Sequence, residues 1–233
     1  MSQIYTVGAV VPIFNEEIYL LESVKRLLAV EIITQIVLVD DNSSDRSYEI
    51  AKNIENKYKK VTAIKTIKNL GKGNAVKEGS NVLNTDYLIV HDADLEYFPE
   101  DISDMYFESI KFPNSLIIGS RRIGSKERKN IYLFTYLGNR LFAIFFSILH
   151  KTKISDIASC YWLISLDIFK SFNIQEKGFA IEVEVLSKFL QTKNTIKEVP
   201  IQYEARSYQD GKKIKLKDAV SIFLKILKYK IRF

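Results

Sequence analysis

The chain has 233 residues, of which 47% are hydrophobic, and this is sufficient for a packed core in one large domain or two small ones. The formal charge at pH 7 is +6, but residues 205–233 hold nine basic and two acidic side chains, so the remaining chain is close to neutral. This distribution disfavours a uniformly basic nucleic-acid-binding protein. It favours a nearly neutral body with a basic terminal appendage whose partner is phosphate, on a ligand or on a lipid surface.

In the first half of the chain, apolar runs alternate with helical patterns. Strands are predicted at residues 6–13, 35–41, 61–67 and 88–90, and a helix is predicted after each of the first three. Strands that alternate with helices at this spacing are typical of βαβ units. The predicted fold is therefore α/β, with a mainly parallel central sheet flanked by helices.

The second half is less regular. A helix is predicted to begin at Pro99 and end near Lys111, and a buried strand is predicted at residues 115–120. Residues 131–149 are apolar and aromatic, but Asn139 and Arg140 interrupt them, so an amphipathic helix on a surface is expected rather than a membrane span. A core helix at 179–191, a strand at 195–203 and a basic amphipathic helix at 216–231 complete the prediction.

The charge distribution divides the chain into two expected parts. Residues 1–203 are expected to form one domain, and residues 204–233 a basic, mobile lid loop followed by the amphipathic helix. This helix is expected either to rest on a membrane, with its lysines at anionic headgroups, or to pack on the body. Cys160 is the single cysteine and cannot form an internal disulfide, and residues 1–4 show no signal-peptide pattern. We therefore expect a cytoplasmic protein, at the cytoplasmic face of a membrane.

Three acids at alternate positions follow the fourth predicted strand, Leu88–Val90. They are Asp92, Asp94 and Glu96, and they leave the carboxyl end of the strand, where open α/β sheets bind ligands. Carboxylates this close repel one another, so they stay ionised together most readily around a divalent cation. The pattern predicts a site for a hard divalent cation that leaves coordination positions open for a diphosphate. A solvated acidic loop is the alternative interpretation.

The turn after the first strand contains Phe14 and no glycine, which disfavours a dinucleotide-binding domain because the backbone cannot press against a pyrophosphate there. Phe14 can pack on a base or ribose instead. Asp40 and Asp41 end the second strand, where a carboxylate can accept hydrogen bonds from a base or ribose, or can serve only as a turn or capping residue. The segment Asn69–Ala75 contains two glycines and suits either a phosphate cradle or a tight turn.

These motifs, in this order, resemble the family 2 glycosyltransferases of the GT-A fold, and most closely the dolichyl- or polyprenyl-phosphate sugar synthases. The resemblance covers most of residues 7–212. It is carried by the segments Val10–Glu16, Val39–Asp45, Asn69–Ala75, Asp92–Glu96, Gly119–Arg121, Glu198–Ile201 and Arg206–Lys212. The fold implied is a Rossmann-like nucleotide-diphospho-sugar transferase domain.

The resemblance also implies roles for individual residues. Asp92, Asp94 and Glu96 would hold Mg²⁺ or Mn²⁺ on the diphosphate, with Asp94 taking part in catalysis. Residues implied in donor binding are Pro12, Phe14, Glu16, Val39, Asp41, Lys72 and Ala93. Arg121, Arg206 and Lys212 would meet the phosphates of donor or acceptor. If the acceptor were a hydroxyl group, a carboxylate would have to take its proton; Asp156 is the best candidate for this base, and a buried capping residue is the alternative interpretation.

The expected activity is metal-dependent, inverting transfer of one sugar from a GDP- or UDP-sugar to a polyprenyl phosphate, with no nucleic acid involved. Transfer to a saccharide hydroxyl in cell-envelope polysaccharide assembly is the main alternative, and a non-catalytic nucleotide-sugar-binding domain is a remote one. The chain departs from the family at Trp162, where the resemblance leads one to expect an arginine, and this leaves acceptor recognition open. The absence of a Gln-x-x-Arg-Trp motif favours one sugar per turnover.

Overall fold

A central sheet runs through the protein, whose computed structural model describes residues 5–130, 132–206 and 216–231. Its strands lie in the order β3 (Val61–Lys65), β2 (Ile33–Asp40), β1 (Val7–Ile13), β4 (Tyr87–Val90), β7 (Trp162–Ser165), β5 (Leu116–Ser120) and β8 (Ile196–Pro200). β7 is antiparallel to both of its neighbours, and the other pairings are parallel. The predicted α/β architecture with a mainly parallel sheet is confirmed.

Helices cover both faces of this sheet. They are α1 (Leu20–Leu28), α2 (Ser47–Lys57), α3 (Lys72–Val82), α4 (Asp101–Lys111), α5 (Leu133–His150), α6 (Leu166–Ser171), α7 (Ile181–Gln191) and α8 (Leu216–Ile231). Two short strands, β6 (Arg128–Lys129) and β9 (Tyr203–Glu204), pair with each other in parallel beside the main sheet.

The strand residues alternate between two hydrophobic clusters, one on each face of the sheet. Ala9 and Val11 of β1 belong to the cluster that contains Leu20 of α1, whereas Val10 between them packs with Ala75 of α3. Each face of the sheet is covered by helices, so both sets of strand side chains are buried, and this explains the almost continuous apolar runs in the sequence.

Helix α1 does not follow β1 directly, because a turn separates them. Asn15 has a left-handed backbone, with φ at 53°, and α1 begins only at Leu20. Two backbone N–H groups of the intervening turn donate to side chains that follow β2: Glu16 N donates to Ser47 Oγ at 2.8 Å, and Glu17 N donates to Asp45 Oδ2 at 3.1 Å. The turn after β1 is therefore held by the turn after β2, and both lie at the same edge of the sheet.

The described residues of the C-terminal part pack against the body. Ile226 and Tyr229 of α8 are buried, and Phe223 stacks on Phe145 of α5 with ring centroids 4.9 Å apart. β9 crosses the predicted division between residues 203 and 204. The two-part division stays a prediction, because the predicted lid falls mainly on residues 207–214, outside the described residues.

Helix α5 lies at the surface, in agreement with the predicted amphipathic helix. It buries Ala143 and Phe146 and exposes a row of aliphatic side chains, named here the α5 stripe: Leu133, Leu137, Leu141, Ile144 and Ile148. Their spacing of three or four residues places them on one side of the helix. Among the described helices, none combines the length and the hydrophobicity needed to cross a membrane.

Candidate active site

A cavity of about 710 Å³ opens at the carboxyl ends of β1, β2 and β4 and extends to β5 and α5. It is lined by twelve of the residues predicted from the sequence: Pro12, Phe14, Glu16, Asp41, Lys72, Asp92, Ala93, Asp94, Glu96, Arg121, Asp156 and Arg206. Val39, which was also predicted, is not among the lining residues. The side chain of Val39 is buried in the sheet beside Gly79 of α3, and Lys212 lies outside the described residues.

Asp41 organises the end of the cavity nearest Phe14. Its Oδ1 accepts hydrogen bonds from Thr66 Oγ1 at 3.1 Å and Leu70 N at 3.0 Å, and its Oδ2 accepts one from Gly71 N at 2.6 Å. The carboxylate thus orders the loop before α3 and keeps one lone pair of Oδ2 for a further donor. Phe14 is 37% exposed on the same wall, so this end presents an aromatic ring and a fixed acceptor.

The acids after β4 are distributed between two cations. Asp92 Oδ2 accepts from Lys72 Nζ at 2.9 Å, and Lys72 also pairs with Glu182 Oε1 at 3.0 Å. Asp94 Oδ2 lies 3.3 Å from Arg206 Nη2. Burial, together with the charges of Glu96 and Asp92, raises the pKa of the Asp94 carboxyl to about 7. The cavity therefore holds more carboxylate than its own cations neutralise.

Glu96 has a structural task at the floor of the cavity. Its Oε2 accepts the hydroxyl of Tyr203 at 2.6 Å, and its Oε1 accepts the backbone N–H of Arg206 at 2.8 Å. The side chain of Arg206 then reaches Glu16, with Nη1 at 3.1 Å from Oε2. Glu96 consequently fixes the segment that carries Arg206, and both of its oxygens are already engaged by the protein.

At the other end of the cavity, Arg121 is held by Asp156. Arg121 Nε and Nη2 each donate to Asp156 at 2.8 Å, and the guanidinium lies over the Tyr203 ring, 4.9 Å from its centroid. Glu198 orders the loop that carries Asp156, accepting from Ser155 N at 3.0 Å and from Asp156 N at 3.2 Å. Burial alone would raise the pKa of Asp156, but the Arg121 guanidinium holds it below its usual value. Such a carboxylate is a poor proton acceptor.

The acidic end of the cavity fits a hard divalent cation. Within the described residues, no group of three or more histidine, cysteine or acidic side chains is arranged as a complete metal site. Mg²⁺, however, commonly binds one or two carboxylates and completes its coordination with substrate phosphates and water. Asp92 and Asp94 both line the cavity and could supply those carboxylates, and a bound cation would offset the repulsion among Asp92, Asp94 and Glu96. Each oxygen of Glu96 accepts one hydrogen bond and keeps a lone pair, so the ligation predicted for it stays a prediction.

Several cavity residues were not identified from the sequence. They include Arg122, which donates to the backbone carbonyl of Tyr136, and Glu182, which pairs with Lys72. Glu182 lies among apolar residues in the segment 179–186, and an acid in a core helix is a signal for a buried polar contact. Its partner, however, is remote in sequence, so the contact could not be read from local spacing.

Comparison with known proteins gives a family and several similar proteins. Residues 9–172 match the model described as "Glycosyl transferase family 2". Dolichol-phosphate mannosyltransferase of Pyrococcus furiosus is 30% identical over 211 residues, covering 88% of this chain, and the chain spans only 58% of that relative. UDP-N-acetylglucosamine–dolichyl-phosphate N-acetylglucosaminyltransferase of Methanococcus voltae is 28% identical, with 95% of each chain covered.

Solved structures show the same fold. Glucosyl-3-phosphoglycerate synthase from Mycobacterium tuberculosis, in complex with Mn²⁺, UDP and phosphoglyceric acid, superposes with a TM-score of 0.75. The two chains are 16% identical, and the match covers 97% of this chain and 78% of the synthase. At this identity the likeness establishes the GT-A fold. The chain belongs to glycosyltransferase family 2.

Proposed function

We propose that this glycosyltransferase moves one sugar from a nucleotide-diphosphate sugar to a polyprenyl phosphate, with a divalent metal ion and with inversion at the anomeric carbon. The observation that carries the proposal is the cavity itself. It has acids at one end and Arg121 and Arg122 at the other, and its wall continues into α5, whose outer face bears the α5 stripe. The acids suit a charged donor with its metal ion, the two arginines suit a phosphate acceptor, and the exposed aliphatic residues of α5 suit the lipid chain of that acceptor.

The donor end is supported by complementary chemistry. Phe14 can stack on the base, and Asp41 can accept a hydrogen bond from a base N–H or a ribose hydroxyl. Asp92 and Asp94 would hold Mg²⁺ or Mn²⁺, which when bound neutralises negative charge on the diphosphate leaving group. The sugar nucleotide is a UDP- or GDP-sugar. Two of the similar proteins have names that specify uridine nucleotides.

Arg206 connects the acids to the leaving group. Its guanidinium pairs with Glu16 and Asp94, and its buried Nε has no hydrogen-bond partner within the described residues. A diphosphate beside Asp94 would offer oxygens to this guanidinium, and a fixed cation aimed at developing negative charge favours the transition state. Lys212 is proposed to assist it from the segment that lies outside the described residues.

A phosphate acceptor agrees better with the chemistry of Asp156 than a hydroxyl acceptor does. A lipid phosphate oxygen is already nucleophilic, so it can attack the anomeric carbon from the face opposite the diphosphate without a base. A hydroxyl group would need a base, yet Asp156 is paired with Arg121 through both oxygens. Asp156 is therefore proposed to position Arg121, and Arg121 to bind the acceptor phosphate together with Arg122. Both similar transferases reported above have names that specify dolichyl or dolichol phosphate.

The acceptor also requires access to a lipid surface, and α5 is the better candidate for it. The lysines of α8 that were expected to meet headgroups include Lys225 and Lys228, and both pair with Glu176 at 2.7 and 3.2 Å. The α5 stripe is exposed, and Thr135, Tyr136 and Asn139 of the same helix line the cavity. We therefore assign the membrane contact mainly to α5, at the cytoplasmic face.

A transfer assay tests the proposal. The purified protein is incubated with Mn²⁺, labelled UDP- and GDP-sugars and a short-chain polyprenyl phosphate in detergent, and parallel reactions offer saccharide acceptors. We expect a lipid-linked sugar from one donor, with an anomeric configuration opposite to that of the donor by NMR. Transfer to saccharides alone would overturn the acceptor assignment, and retention of configuration would overturn the inverting mechanism.

A further inference from the structure

Glu182, in the first turn of α7, has one carboxylate oxygen that the protein itself does not use. The residue lines the cavity and is 6% exposed. Its Oε1 accepts from Lys72 Nζ at 3.0 Å, whereas its buried Oε2 has no hydrogen-bond partner within the described residues. Buried carboxylate oxygens normally find a donor, so an unpaired one on the wall of a binding cavity indicates a donor that comes with the ligand.

The position of Glu182 relative to the metal-binding acids is well defined. Lys72 bridges Glu182 and Asp92, so the two carboxylates lie on either side of one ammonium group. The starts of α3 and α7 are also held together by backbone contact, because Asn74 N donates to the carbonyl of Lys177 at 3.1 Å. A Cβ on Gly71 would lie only 2.7 Å from that same carbonyl oxygen. Oε2 is thus presented from a rigid support.

We propose that Glu182 Oε2 accepts a hydrogen bond from a hydroxyl group of the donor sugar and so helps to decide which sugar is transferred. The inference rests on the proposed function, in which the diphosphate lies at Asp92 and Asp94. The sugar is attached directly to that diphosphate, so it must occupy the part of the cavity next to Asp92, where Glu182 lies. Sugars are rich in hydroxyl donors, and a carboxylate accepts them strongly. Phe179, 37% exposed on the same wall, gives the sugar an apolar surface.

A thermodynamic cycle tests this contact. Affinities for UDP, GDP, the accepted nucleotide-sugar and its monodeoxy analogues are measured by calorimetry with Mn²⁺, for the wild type and for Glu182→Met, which keeps the length of the side chain but removes the acceptor. We expect one deoxy analogue to bind the wild type about tenfold or more weakly than the parent donor, whereas the variant binds both alike. The nucleoside diphosphates should bind both proteins equally. Lys72 keeps Asp92 as its partner in the variant, and any effect of its lost contact with Glu182 is the same for parent and analogue and cancels in the cycle.

The outcomes separate the inference from the proposed function. If no nucleotide-sugar binds the wild type, the proposed function fails. If nucleotide-sugars bind but Glu182→Met discriminates between parent and deoxy donors as the wild type does, the role of Glu182 is refuted. A crystal structure of the wild type with Mn²⁺ and the intact donor gives a readout that does not depend on the variant folding: Oε2 should lie within 3.5 Å of a sugar hydroxyl, and a greater separation from every hydroxyl would also refute it.

Discussion

Asp94 is the residue at which the proposed metal ion would meet one of the protein's own cations, Arg206. Arg206 lies 3.3 Å from its carboxylate and 3.1 Å from Glu16, so the guanidinium offsets part of the negative charge of the cavity. A divalent ion bound to Asp94 would weaken the hold on Arg206 and make the guanidinium available to the diphosphate. The same side chain can therefore stabilise the empty cavity and the leaving group in turn.

Asp94→Asn should abolish most of the activity without unfolding the protein. The amide removes the charge that favours a metal ion but keeps the shape of the side chain, so transfer with Mn²⁺ should fall by about 100-fold or more. Initial rates and thermal unfolding are measured for both proteins, with Asp104→Asn as the control, because Asp104 is an exposed residue of α4 that does not line the cavity. Near-normal turnover by Asp94→Asn, or full wild-type activity in EDTA, would contradict the metal assignment.

His91 directly precedes Asp92, and its burial makes the stability of the protein depend on pH. It is buried, contacts Ser23 Oγ at 2.9 Å and Tyr161 OH at 2.6 Å, and burial lowers its pKa to about 4. In the unfolded chain the pKa is near 6.5, so the unfolded state binds the proton first and stability is lost as the pH falls from about 6.5 to 4. Between pH 7 and pH 5, protonation of His91 in the unfolded chain should lower the free energy of unfolding by about 2 kcal/mol.

Urea unfolding at pH 7 and pH 5, in the absence of metal, checks this for the wild type and for His91→Gln. The variant cannot take up the proton, so its stability should fall by about 2 kcal/mol less than that of the wild type over this interval. The Asp and Glu side chains titrate in both proteins, so their contribution cancels when the loss of unfolding free energy between pH 7 and pH 5 is compared between wild type and variant. Parallel losses in the two proteins would show that His91 is not held neutral by burial.

At the scale of elements, the start of α3 depends on glycine for close packing. Gly71 has φ at 98°, a conformation that side chains with a Cβ rarely adopt, and a Cβ on Gly73 would collide with the carbonyl oxygen of Glu176. The two glycines that suggested a phosphate cradle or a tight turn thus let two backbone segments meet. This contact places Lys72 between Asp92 and Glu182.

Gly73→Ala should destabilise the protein by about 1 to 3 kcal/mol, because the added methyl group forces the segments around α3 and α7 apart. Gly138→Ala is the matched control, since Gly138 lies inside α5 and a Cβ there meets no atom within 4 Å. Alanine is the better helix former, so the control should be neutral or more stable by up to about 1 kcal/mol. Chemical denaturation measures both, and equal effects would show that the contact with Glu176 does not limit the packing.

The elements that the sequence predicted well are those with a strong local signal. β1, β2 and β4 are buried apolar runs. The acids come directly after β4 in the sequence, so their place at the carboxyl edge of the sheet could be predicted once the strand was recognised. β7 was missed. Trp162–Ser165 is short, and it forms a strand only because β4 and β5 offer it antiparallel partners that are remote in sequence. The pairings of Glu182 with Lys72 and of Asp156 with Arg121 depend on such long-range packing and could not be predicted from spacing.

At the scale of the whole molecule, the two faces of the sheet differ in what they present to solvent. α1 lies over one hydrophobic cluster, and α5 and α8 lie over the other. The α5 stripe is continued on the second side by Phe223 and Leu224 of α8, which are also exposed. Arg140, Lys151 and Lys153 are exposed on α5 or just after it, so this side combines apolar and basic groups, as a lipid interface requires.

This arrangement predicts that the protein binds anionic membranes through α5. In co-sedimentation with vesicles containing phosphatidylglycerol at low salt, the wild type should be found with the vesicles, and high salt should weaken the binding because each basic residue near the surface contributes about 1 kcal/mol. Replacing Leu141 and Ile148 of the α5 stripe by Asp should lower the affinity by at least about tenfold, since two aliphatic side chains lose burial in lipid.

Point substitutions are the appropriate test, because α8 packs on the body through Ile226 and Tyr229 and its removal would expose core residues. Leu21→Asp is the control: Leu21 is 44% exposed on α1, over the other hydrophobic cluster, and its replacement should leave vesicle binding unchanged. If the control lost as much affinity as the α5 variant, the binding would not be specific to this side. If the wild type stayed in the supernatant with anionic vesicles at low salt, the α5 stripe would have to serve another partner, while the donor end of the cavity, on the carboxyl edge of β1, β2 and β4, would be unaffected.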